Sequence, residues 1–152
     1  MGTNLGDREL NIANAILAIK SLPKTKVIEV SKKYITKPFM VPDKQEDYLN
    51  CCVKIETKLQ AQTLLGACLG IEAAMGRQRT FKNSSRVIDI DLLLYEGEKS
   101  DTDDLVLPHP RIRERAFVMV PLSDICVDKN ILGFDFHKEY KAIDKSGVEF
   151  YR

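Results

Sequence analysis

The stretch Arg86–Tyr95 (Arg-Val-Ile-Asp-Ile-Asp-Leu-Leu-Leu-Tyr) constrains the fold of this chain most, because polar and apolar residues alternate along its first half. In an extended strand, side chains two residues apart point to the same face. The apolar residues at every second position from Ile88 to Leu94 predict a face that enters the core. Asp89 and Asp91 project from the other face, about 6.5–7 Å apart at their Cα atoms. We therefore predict a strand over Val87–Tyr95 with a carboxylate pair on one side.

The rest of the chain predicts helices and strands in a recognisable order. Ile12, Ile16 and Ile19 recur at the spacing of one helical face, behind Asn4 or Asp7 as the capping residue. The other predicted elements are a strand over Val27–Thr36, a loop over residues 37–47, a strand over Tyr48–Thr57, a helix over Gln62–Met75 capped by Gly76, a turn at Gly97, an extended stretch over Leu105–Pro110 and a short helix over Ile112–Met119. Helix, strand, strand, helix, strand is the order of a ferredoxin-like βαββαβ unit without its first strand. We therefore expect an α+β fold with extra C-terminal elements.

Size and charge indicate one globular domain rather than a binder driven by bulk charge. The chain has 152 residues and a formal net charge of +1, so we expect a single domain over residues 1–152, no nucleic-acid binding and no membrane binding. Four cysteines and two histidines show no zinc-ligand spacing, and reduced thiols are typical of the cytosol. The polar start is no signal peptide, and no apolar run approaches ~20 residues. We expect a cytoplasmic location.

Asp89 and Asp91 are candidate ligands of a divalent cation. Two carboxylates held side by side repel each other unless a cation lies between them. Hard oxygen ligands at this spacing suit Mg²⁺, which shares carboxylates with phosphates and water. The solvated acidic face of an amphipathic strand gives the same pattern, so the pair alone leaves both interpretations open.

A basic loop directly before this strand favours the metal interpretation. Arg77, Arg79, Lys82 and Arg86 fall within ten residues that contain no acidic side chain. Guanidinium groups bind phosphate oxygens in pairs, and a loop lets them close over a ligand. Solvated surface charge explains the cluster equally well when it is taken alone. Next to paired aspartates, it predicts a site for phosphate and metal.

A second basic cluster follows in the stretch Leu107–Phe117. His109 lies between two prolines, so its backbone is stiff and its ring can be aimed at a phosphate oxygen. A structural or merely exposed histidine is the alternative, and Arg111, Arg113 and Arg115 also fit a solvated helix end. The chain contains neither G-x-x-x-x-G-K-[ST] nor G-x-G-x-x-G, so ATP would not be held by a P-loop or a Rossmann turn.

Five segments of the chain form a larger pattern. They are Gly2-Thr-Asn-Leu-Gly-Asp7, Asp47-Tyr-Leu-Asn50, Ile71-Glu72 with Gly76-Arg77-x-Arg79, Arg86-Val-Ile-Asp-Ile-Asp91, and Leu107-Pro-His-Pro110 through Glu114-Arg-Ala-Phe117 to Pro121-Leu122. In this order and at these separations, they resemble the hydroxymethyldihydropterin pyrophosphokinases across nearly the whole chain. Each segment alone is a modest signal, whereas the set is specific.

The resemblance implies a role for each matching residue. Asp89 and Asp91 would bind two Mg²⁺ ions that bridge the phosphates of ATP. The pterin pocket would consist of Tyr48, Asn50 and Phe117, with the two rings enclosing the flat pterin and the carboxamide facing its amide edge. The implied ATP-binding residues are Glu72, Arg77, Arg79, Arg86, His109 and Arg115, and the implied catalytic residues are Arg77, Arg86, Asp89 and Asp91.

The implied reaction moves diphosphate from ATP to 6-hydroxymethyl-7,8-dihydropterin and releases AMP, in folate biosynthesis. Closure of the loop over residues 77–86 would exclude water from the phosphates. The resemblance leaves room for fusion to, or association with, another folate-pathway enzyme. Two departures from the family stand out. Ser84-Ser85 replace a usual Gly-Pro, and only Met1 precedes Gly2 where the family has a short apolar strand, which implies unpaired backbone edges.

Three other functions stay open on the sequence. A ferredoxin-like RNA-binding domain would need an aromatic strand motif and a broad basic face, and the sequence has neither. A different Mg²⁺-dependent nucleotidyl or phosphoryl transferase would share this scaffold, as would a pterin-binding subunit without turnover. Release of AMP from ATP and the pterin alcohol separates all three from the implied reaction.

Overall fold

A computed structural model describes residues 1–38, 44–77 and 84–152. The strands are β1 (Gly2–Thr3), β2 (Thr25–Val30), β3 (Tyr34–Thr36), β4 (Tyr48–Asn50), β5 (Val53–Thr57), β6 (Ser100–Asp101), β7 (Val106–Leu107), β8 (Asn130–Ile131), β9 (Phe134–Asp135) and β10 (Val148–Phe150). The helices are α1 (Arg8–Lys20), α2 (Ala61–Ala74), α3 (Ala116–Asp124) and α4 (His137–Ala142), and a 3-10 turn spans Ile112–Glu114. None of the helices within these described ranges has the length and apolar composition needed to cross a bilayer.

The first two helices form where the sequence predicts them. The Asp7 side chain caps α1 by accepting a hydrogen bond from the amide of Leu10 at 3.0 Å. Asn4, the other predicted cap, binds the backbone of Arg86 instead. The bounds of α2 agree with the prediction to within one residue at each end. Gly76 follows α2 with a φ of 88°, a left-handed conformation that favours glycine after a helix.

The main sheet is antiparallel and has the strand order β1-β4-β3-β10. Asn50 lies at its centre, because it pairs with Gly2 on one side and with Tyr34 on the other. β10 pairs with β3 through Val148 and Thr36, so the C-terminal end of the chain forms an edge of the sheet. The sequence did not predict this last strand.

The predicted strands Val27–Thr36 and Tyr48–Thr57 are each divided in two. β2 pairs with β5 and β3 pairs with β4, but the ladder is interrupted at Ser31 and Cys52. The Ser31 hydroxyl accepts the hydrogen bond of the Cys52 amide at 2.8 Å, which removes one backbone partner from the ladder. The prediction was right about the type of element and wrong about its continuity.

Buried side chains lie on both faces of this hairpin. Leu49 and Cys51 face α1 and α2, whereas Cys52 faces the C-terminal elements. The first core consists of Ile12, Ala15, Ile19, Leu49, Cys51, Leu64, Cys68, Ile71, Ile88 and Ile90. The second consists of Cys52, Ile112, Val118, Met119, Leu122, Ile125, Ile131, Phe134 and Phe136. The alternation along residues 48–52 therefore separates two cores rather than core from solvent.

The helix predicted over Ile112–Met119 is displaced towards the C-terminus. The 3-10 turn takes the first three residues, and α3 continues to Asp124 with Pro121 inside it. Proline has no amide hydrogen, so α3 loses one backbone hydrogen bond at this point. Pro121 and Leu122 are buried, and their packing offsets that loss.

The segment predicted as the strand Val87–Tyr95 is hydrogen-bonded to a neighbouring strand at one end only. Asp89 forms an isolated bridge with Gly2, and residues 90–95 have no strand partner among the described residues. The apolar row still lies where it was predicted, since Ile88 and Ile90 are buried. The prediction of a full-length strand was wrong because a ladder needs a second backbone alongside it. Here β5 faces residues 90–95 across a groove instead.

Candidate active site

Backbone contacts with the N-terminal residues determine the position of Asp89. The Gly2 amide donates to the Asp89 carbonyl at 2.9 Å, and the Asp89 amide donates to the Gly2 carbonyl at 2.8 Å. Two residues further along, the Asn4 amide donates to the Arg86 carbonyl at 3.2 Å, and the Asn4 side-chain oxygen accepts from the Arg86 amide at 2.9 Å. The acidic segment is therefore paired with β1 and its neighbour.

Gly2 also lets the backbone lie close to Asn50. A Cβ at this position would be 2.7 Å from the Asn50 side-chain oxygen, which is too short for two nonbonded atoms. The Asn50 side-chain nitrogen donates to the Thr36 hydroxyl at 2.9 Å, so the carboxamide is held in one orientation. The sequence patterns did not single out Thr36, because nothing in the sequence indicates that its hydroxyl lies beside Asn50.

Four side chains form what we call the charged cluster: Glu72, Arg77, Arg86 and Asp89. Arg77 Nη1 is 2.5 Å from Glu72 Oε2 and 2.7 Å from Asp89 Oδ1. Arg86 Nη1 is 2.8 Å from the other oxygen of the same aspartate, Oδ2. Acidic and basic groups alternate along the cluster, so its charges balance within the site.

Glu72 is the buried member of the charged cluster, with 3% of its side chain exposed. Its Oε1 accepts a hydrogen bond from the amide of Ile90 at 2.7 Å, so both carboxylate oxygens are engaged. Burial raises the pKa of the Glu72 carboxyl, while the Ile90 amide and Arg77 act in the opposite direction. Burial also disfavours the charge on Arg77, but Asp89 and Glu72 outweigh it and the Arg77 pKa is raised.

His109 lies within the electrostatic influence of the aspartate pair. Burial lowers its pKa; Asp91 raises it, and Arg115 and Arg111 lower it further, so the net shift is downward. The ring is therefore neutral at neutral pH. Its Nδ1 accepts a hydrogen bond from the Arg111 amide at 3.2 Å, which leaves the proton on Nε2. His109 is thus a neutral N–H donor next to the acidic segment.

Arg115 brings the second basic cluster to the same place. Burial lowers its pKa, as does Arg111, while Asp91 and Asp89 raise it. Its guanidinium carbon lies 5.6 Å from the centre of the Phe117 ring, within the range of a cation–π contact. His109 and Arg115 from the second segment therefore lie in the same region as Arg77 and Arg86 from the first.

The predicted pterin residues lie on neighbouring elements. Tyr48 is on β4 and Phe117 is on α3, and these elements pack against each other. Burial raises the pKa of the Tyr48 hydroxyl, and the nearby charge of Arg86 opposes this shift. Phe117 is 36% exposed, which is unusual for a large aromatic residue at the start of a buried helix. Tyr48 therefore lies near Arg86, and the accessible Phe117 lies beside Arg115.

Two predicted features lie outside the described residues. Arg79 and Lys82 belong to residues 78–83, so their contacts and the predicted closure of the loop stay predictions.

The candidate metal ligands are accessible, because Asp91 is solvent-exposed and Asp89 is partly exposed. Their carboxylate oxygens fit Mg²⁺. No group of three or more His, Cys, Asp or Glu side chains that could hold an ion occurs in the part of the chain that the structure describes.

Comparison with known proteins is a separate observation from this geometry. The profile of the 7,8-dihydro-6-hydroxymethylpterin-pyrophosphokinase (HPPK) family matches residues 1–127. The chain belongs to this family. The match covers both basic clusters, the aspartate pair and the predicted pterin residues.

Individual HPPK relatives are similar over nearly the whole chain. A 2-amino-4-hydroxy-6-hydroxymethyldihydropteridine pyrophosphokinase of Methylorubrum extorquens is 42% identical over 149 residues, which are 98% of this chain and 94% of that protein. The protein of the same name from Bacillus subtilis is 36% identical over 153 residues, 98% of this chain and 91% of its own length. The bifunctional protein FolKE of Lactococcus lactis is 33% identical over 149 residues, 98% of this chain but 40% of that protein.

Proposed function

We propose that this HPPK-family chain transfers diphosphate from ATP to 6-hydroxymethyl-7,8-dihydropterin and releases AMP, a step of folate biosynthesis. Family membership supports the reaction. The observation that carries the proposal is the meeting of an acidic pair with basic side chains from two separate segments, next to accessible aromatic rings. Such a surface suits a polyphosphate on one side and a flat aromatic alcohol on the other.

The proposed chemistry is a substitution at the β-phosphorus of ATP. The hydroxymethyl oxygen of the pterin forms a bond to this phosphorus, and the bond from the phosphorus to the α–β bridging oxygen breaks. AMP leaves with that oxygen, and the hydroxyl proton is lost, with Asp91 as the candidate acceptor. Alignment and charge neutralisation do most of the work in such transfers, so the residues that hold the phosphates matter most.

We assign the phosphate contacts to Arg79, Arg86, His109 and Arg115, and we assign to Arg77 the role of holding Asp89 beside them. The Nε2 proton of neutral His109 can be donated to a phosphate oxygen without adding a charge to the site. Arg115 already lies near the aspartates, where the negative charge of ATP and its cation would be concentrated. Arg86 and Arg77 hold Asp89, and Arg86 is close enough to reach a phosphate bound beside it.

Asp89 and Asp91 are the residues that would hold two Mg²⁺ ions together with the phosphates. Bound magnesium would neutralise the phosphates and lower the pKa of the attacking hydroxyl. The donor chemistry fits, because both side chains offer hard oxygen atoms on one face of the chain. Exposure of Asp91 leaves room for phosphate and water as further ligands.

The pterin would lie between Tyr48 and Phe117, with Asn50 facing its amide edge. Asn50 is 6% exposed and its carboxamide is oriented by Thr36, which suits a group that must offer one fixed pattern of donor and acceptor. The charge of Arg86 acts on the pKa of the Tyr48 hydroxyl, so the pterin end of the site would lie next to the phosphate end.

We also infer a ferredoxin-like arrangement whose first strand would fill the groove between β5 and residues 90–95. This groove has a volume of about 580 Å³ and is lined by residues 52–57 on one side and by residues 90–96 on the other, with Met1 also in its lining. The order of helices and strands and the antiparallel hairpin support the arrangement.

The occupant we propose for the groove is an apolar strand directly upstream of Met1. The Met1 amine donates to the Cys51 carbonyl at 2.8 Å, and the Cys51 amide donates to the Met1 carbonyl at 3.0 Å, so the ladder of β1 and β4 already continues to the first residue. Continuing the same register backwards would place the next residues opposite Cys52 and β5. The apolar lining, which includes Val53 and Leu92, suits such a strand.

Three further expectations remain proposals. We expect residues 1–152 to act as one domain, since β10 joins the main sheet. A cytoplasmic location is in keeping with free, largely buried cysteines, which need no oxidising compartment. Association with another folate-pathway enzyme is suggested by the bifunctional FolKE relative.

The proposed reaction is tested by measuring AMP release from ATP and the pterin alcohol, with Mg²⁺ present and with Mg²⁺ chelated. We expect AMP only when ATP, pterin and Mg²⁺ are all present. ADP as the product would indicate a different phosphoryl transferase, and binding of both ligands without AMP would indicate a pterin-binding protein without turnover.

A further inference from the structure

Glu72 has no free carboxylate oxygen to offer a nucleotide. One oxygen accepts from the Ile90 amide at 2.7 Å, and the other pairs with Arg77 at 2.5 Å. With only 3% of its side chain exposed, the carboxylate is stable inside the protein only while these partners remain. A direct contact between Glu72 and ATP would require this buried side chain to become exposed.

The two arginines on Asp89 are held differently. Arg77 is tied to Glu72 through its side chain, and its amide also donates to the Glu72 carbonyl at 3.1 Å. Arg86 makes no ion pair with Glu72; its Nε donates to the Ser84 carbonyl at 3.2 Å. Removing Arg77 from the charged cluster would leave a buried carboxylate without its cation, whereas removing Arg86 would not.

We propose that Glu72 is a positioning residue that makes these two arginines unequal. When a nucleotide triphosphate binds, Arg77 stays between Glu72 and Asp89 and keeps the aspartate in place, while Arg86 exchanges its bond to Asp89 for a phosphate oxygen. The exchange frees Asp89 Oδ2, which pairs with Arg86 Nη1 at 2.8 Å. Glu72 thus acts through Arg77 and through the backbone of Ile90, without touching ATP.

This inference rests on the proposed function for its catalytic part and on nucleotide binding alone for the rest. Charge balance supports it. The charged cluster is neutral by itself, and an incoming phosphate supplies new acceptors for one guanidinium. Arg86 can break its ion pair with Asp89 at a lower free-energy cost than Arg77 can, because Glu72, Arg77 and Asp89 then stay hydrogen-bonded to one another. Asp89 would also gain a new cation with the nucleotide.

The test compares equilibrium binding of a non-hydrolysable ATP analogue with Mg²⁺ in Glu72→Gln, Arg77→Ala, Arg86→Ala and the wild-type chain. The Glu72→Gln side chain keeps an acceptor for the Ile90 amide but loses the charge that holds Arg77. We expect Arg86→Ala to raise the Kd of the analogue by about tenfold or more. We expect Glu72→Gln and Arg77→Ala to change this Kd by roughly twofold or less. Glu98→Gln, at an exposed glutamate, is the matched control for the charge change.

AMP release then separates positioning from folding. We expect Glu72→Gln to lower kcat by about 10- to 100-fold with little change in the KM for ATP, and to raise the Mg²⁺ concentration needed for half-maximal rate. The double variant Glu72→Gln/Arg77→Ala should be no worse than Arg77→Ala alone, because the two residues act as one unit. A merely structural role would lower the folded fraction without changing the Mg²⁺ requirement.

Several outcomes would overturn the proposal. If Glu72→Gln raises the Kd of the analogue as much as Arg86→Ala does, Glu72 contacts the nucleotide. If Arg77→Ala and Arg86→Ala lose the same affinity for the analogue, the two arginines have equal roles. This comparison can be made even if Glu72→Gln does not fold. If the wild-type chain binds the analogue but releases no AMP, the proposed reaction fails while the binding comparison still decides the roles of the arginines.

Discussion

The two ends of the segment Arg86–Tyr95 are held in opposite ways. At the first end, Arg86 and Asp89 are paired with the backbone of Asn4 and Gly2, and Asp89 is held by two guanidiniums. At the second end, residues 92–95 face β5 across the groove, and none of the strands formed by the described residues lies between them. The sequence of the segment is equally strand-like at both ends.

This contrast teaches that the position of Asp89 depends on the end of the segment that is paired with the N-terminal residues. Ladder hydrogen bonds from the N-terminal residues and the charged cluster hold Asp89. The apolar half of the segment is held by packing and by single hydrogen bonds, such as that of the His109 amide to the Leu93 carbonyl at 2.8 Å. We call residues 86–91 the site end and residues 92–95 the groove end. We expect changes at the groove end to alter stability and changes at the site end to alter activity.

The largest effect should come from the site end. In Asp91→Ala, we expect AMP release to fall by roughly 10³-fold or more, because the carboxylate that we propose to hold the cation and to accept the proton is lost. Binding of ATP should be partly retained, since the arginines remain. Asp103→Ala, at an exposed aspartate remote from the site in sequence, is the control and should keep full turnover. Unchanged AMP release in Asp91→Ala would remove this residue from the metal site.

The groove end should respond to an added strand. Extending the chain upstream of Met1 by five apolar β-branched residues should raise the free energy of unfolding by about 2–4 kcal/mol, the excess of apolar burial over chain ordering. Denaturant unfolding measures this change, and slower amide exchange at Leu92 and Leu94 would locate it. An extension of equal length made of glycine and serine is the control. Equal stability of the two extended chains would show that the groove does not accept a strand.

A clash at the junction of the two ends should have a smaller effect. Gly2→Ala places a Cβ 2.7 Å from the Asn50 side-chain oxygen, so the carboxamide or the ladder must move. We expect a loss of about 1–3 kcal/mol in the free energy of unfolding, together with weaker pterin binding. Gly147→Ala is the matched control, because a Cβ there meets nothing within 4 Å. Equal stability of the two variants would mean that the close approach at Gly2 is not required.

The smallest expected effect is a change in the pH dependence of stability. The pKa of His109 is lowered by burial in the folded chain, so between that pKa and the ordinary value of 6.5 the unfolded chain binds a proton that the folded chain does not. The contribution of neutral His109 is therefore present above pH 6.5 and is lost as the pH falls. Unfolding of the wild-type chain and of His109→Gln at about pH 7 and about pH 5 should show a smaller loss in the variant. The exposed His137→Gln should behave like the wild type, and a loss in His109→Gln as large as in the wild type would contradict this account.

Much of the local structure was predictable because it depends on neighbours in the sequence. The cap at Asp7 and the bounds of α2 follow from short-range hydrogen bonds and periodicity. The convergence of Asp89, Arg77 and Arg86 was predictable in part, since these residues are close in sequence and of opposite charge. Thr36 beside Asn50, the engagement of both Glu72 oxygens and the sheet edge made by β10 were not predictable, because each depends on residues that are far apart in the chain.

By itself, the sequence determined which residue types are available and in what spacing: an acidic pair on one face of an extended segment, basic residues on either side of it, and a set of motifs that assigns the family. Only the tertiary structure decided how these groups are partnered. Whether a strand-like segment becomes a strand depends on a second backbone beside it, and whether a carboxylate is a ligand or a support depends on which partners reach it. Both are properties of contacts across the fold, which no local pattern specifies.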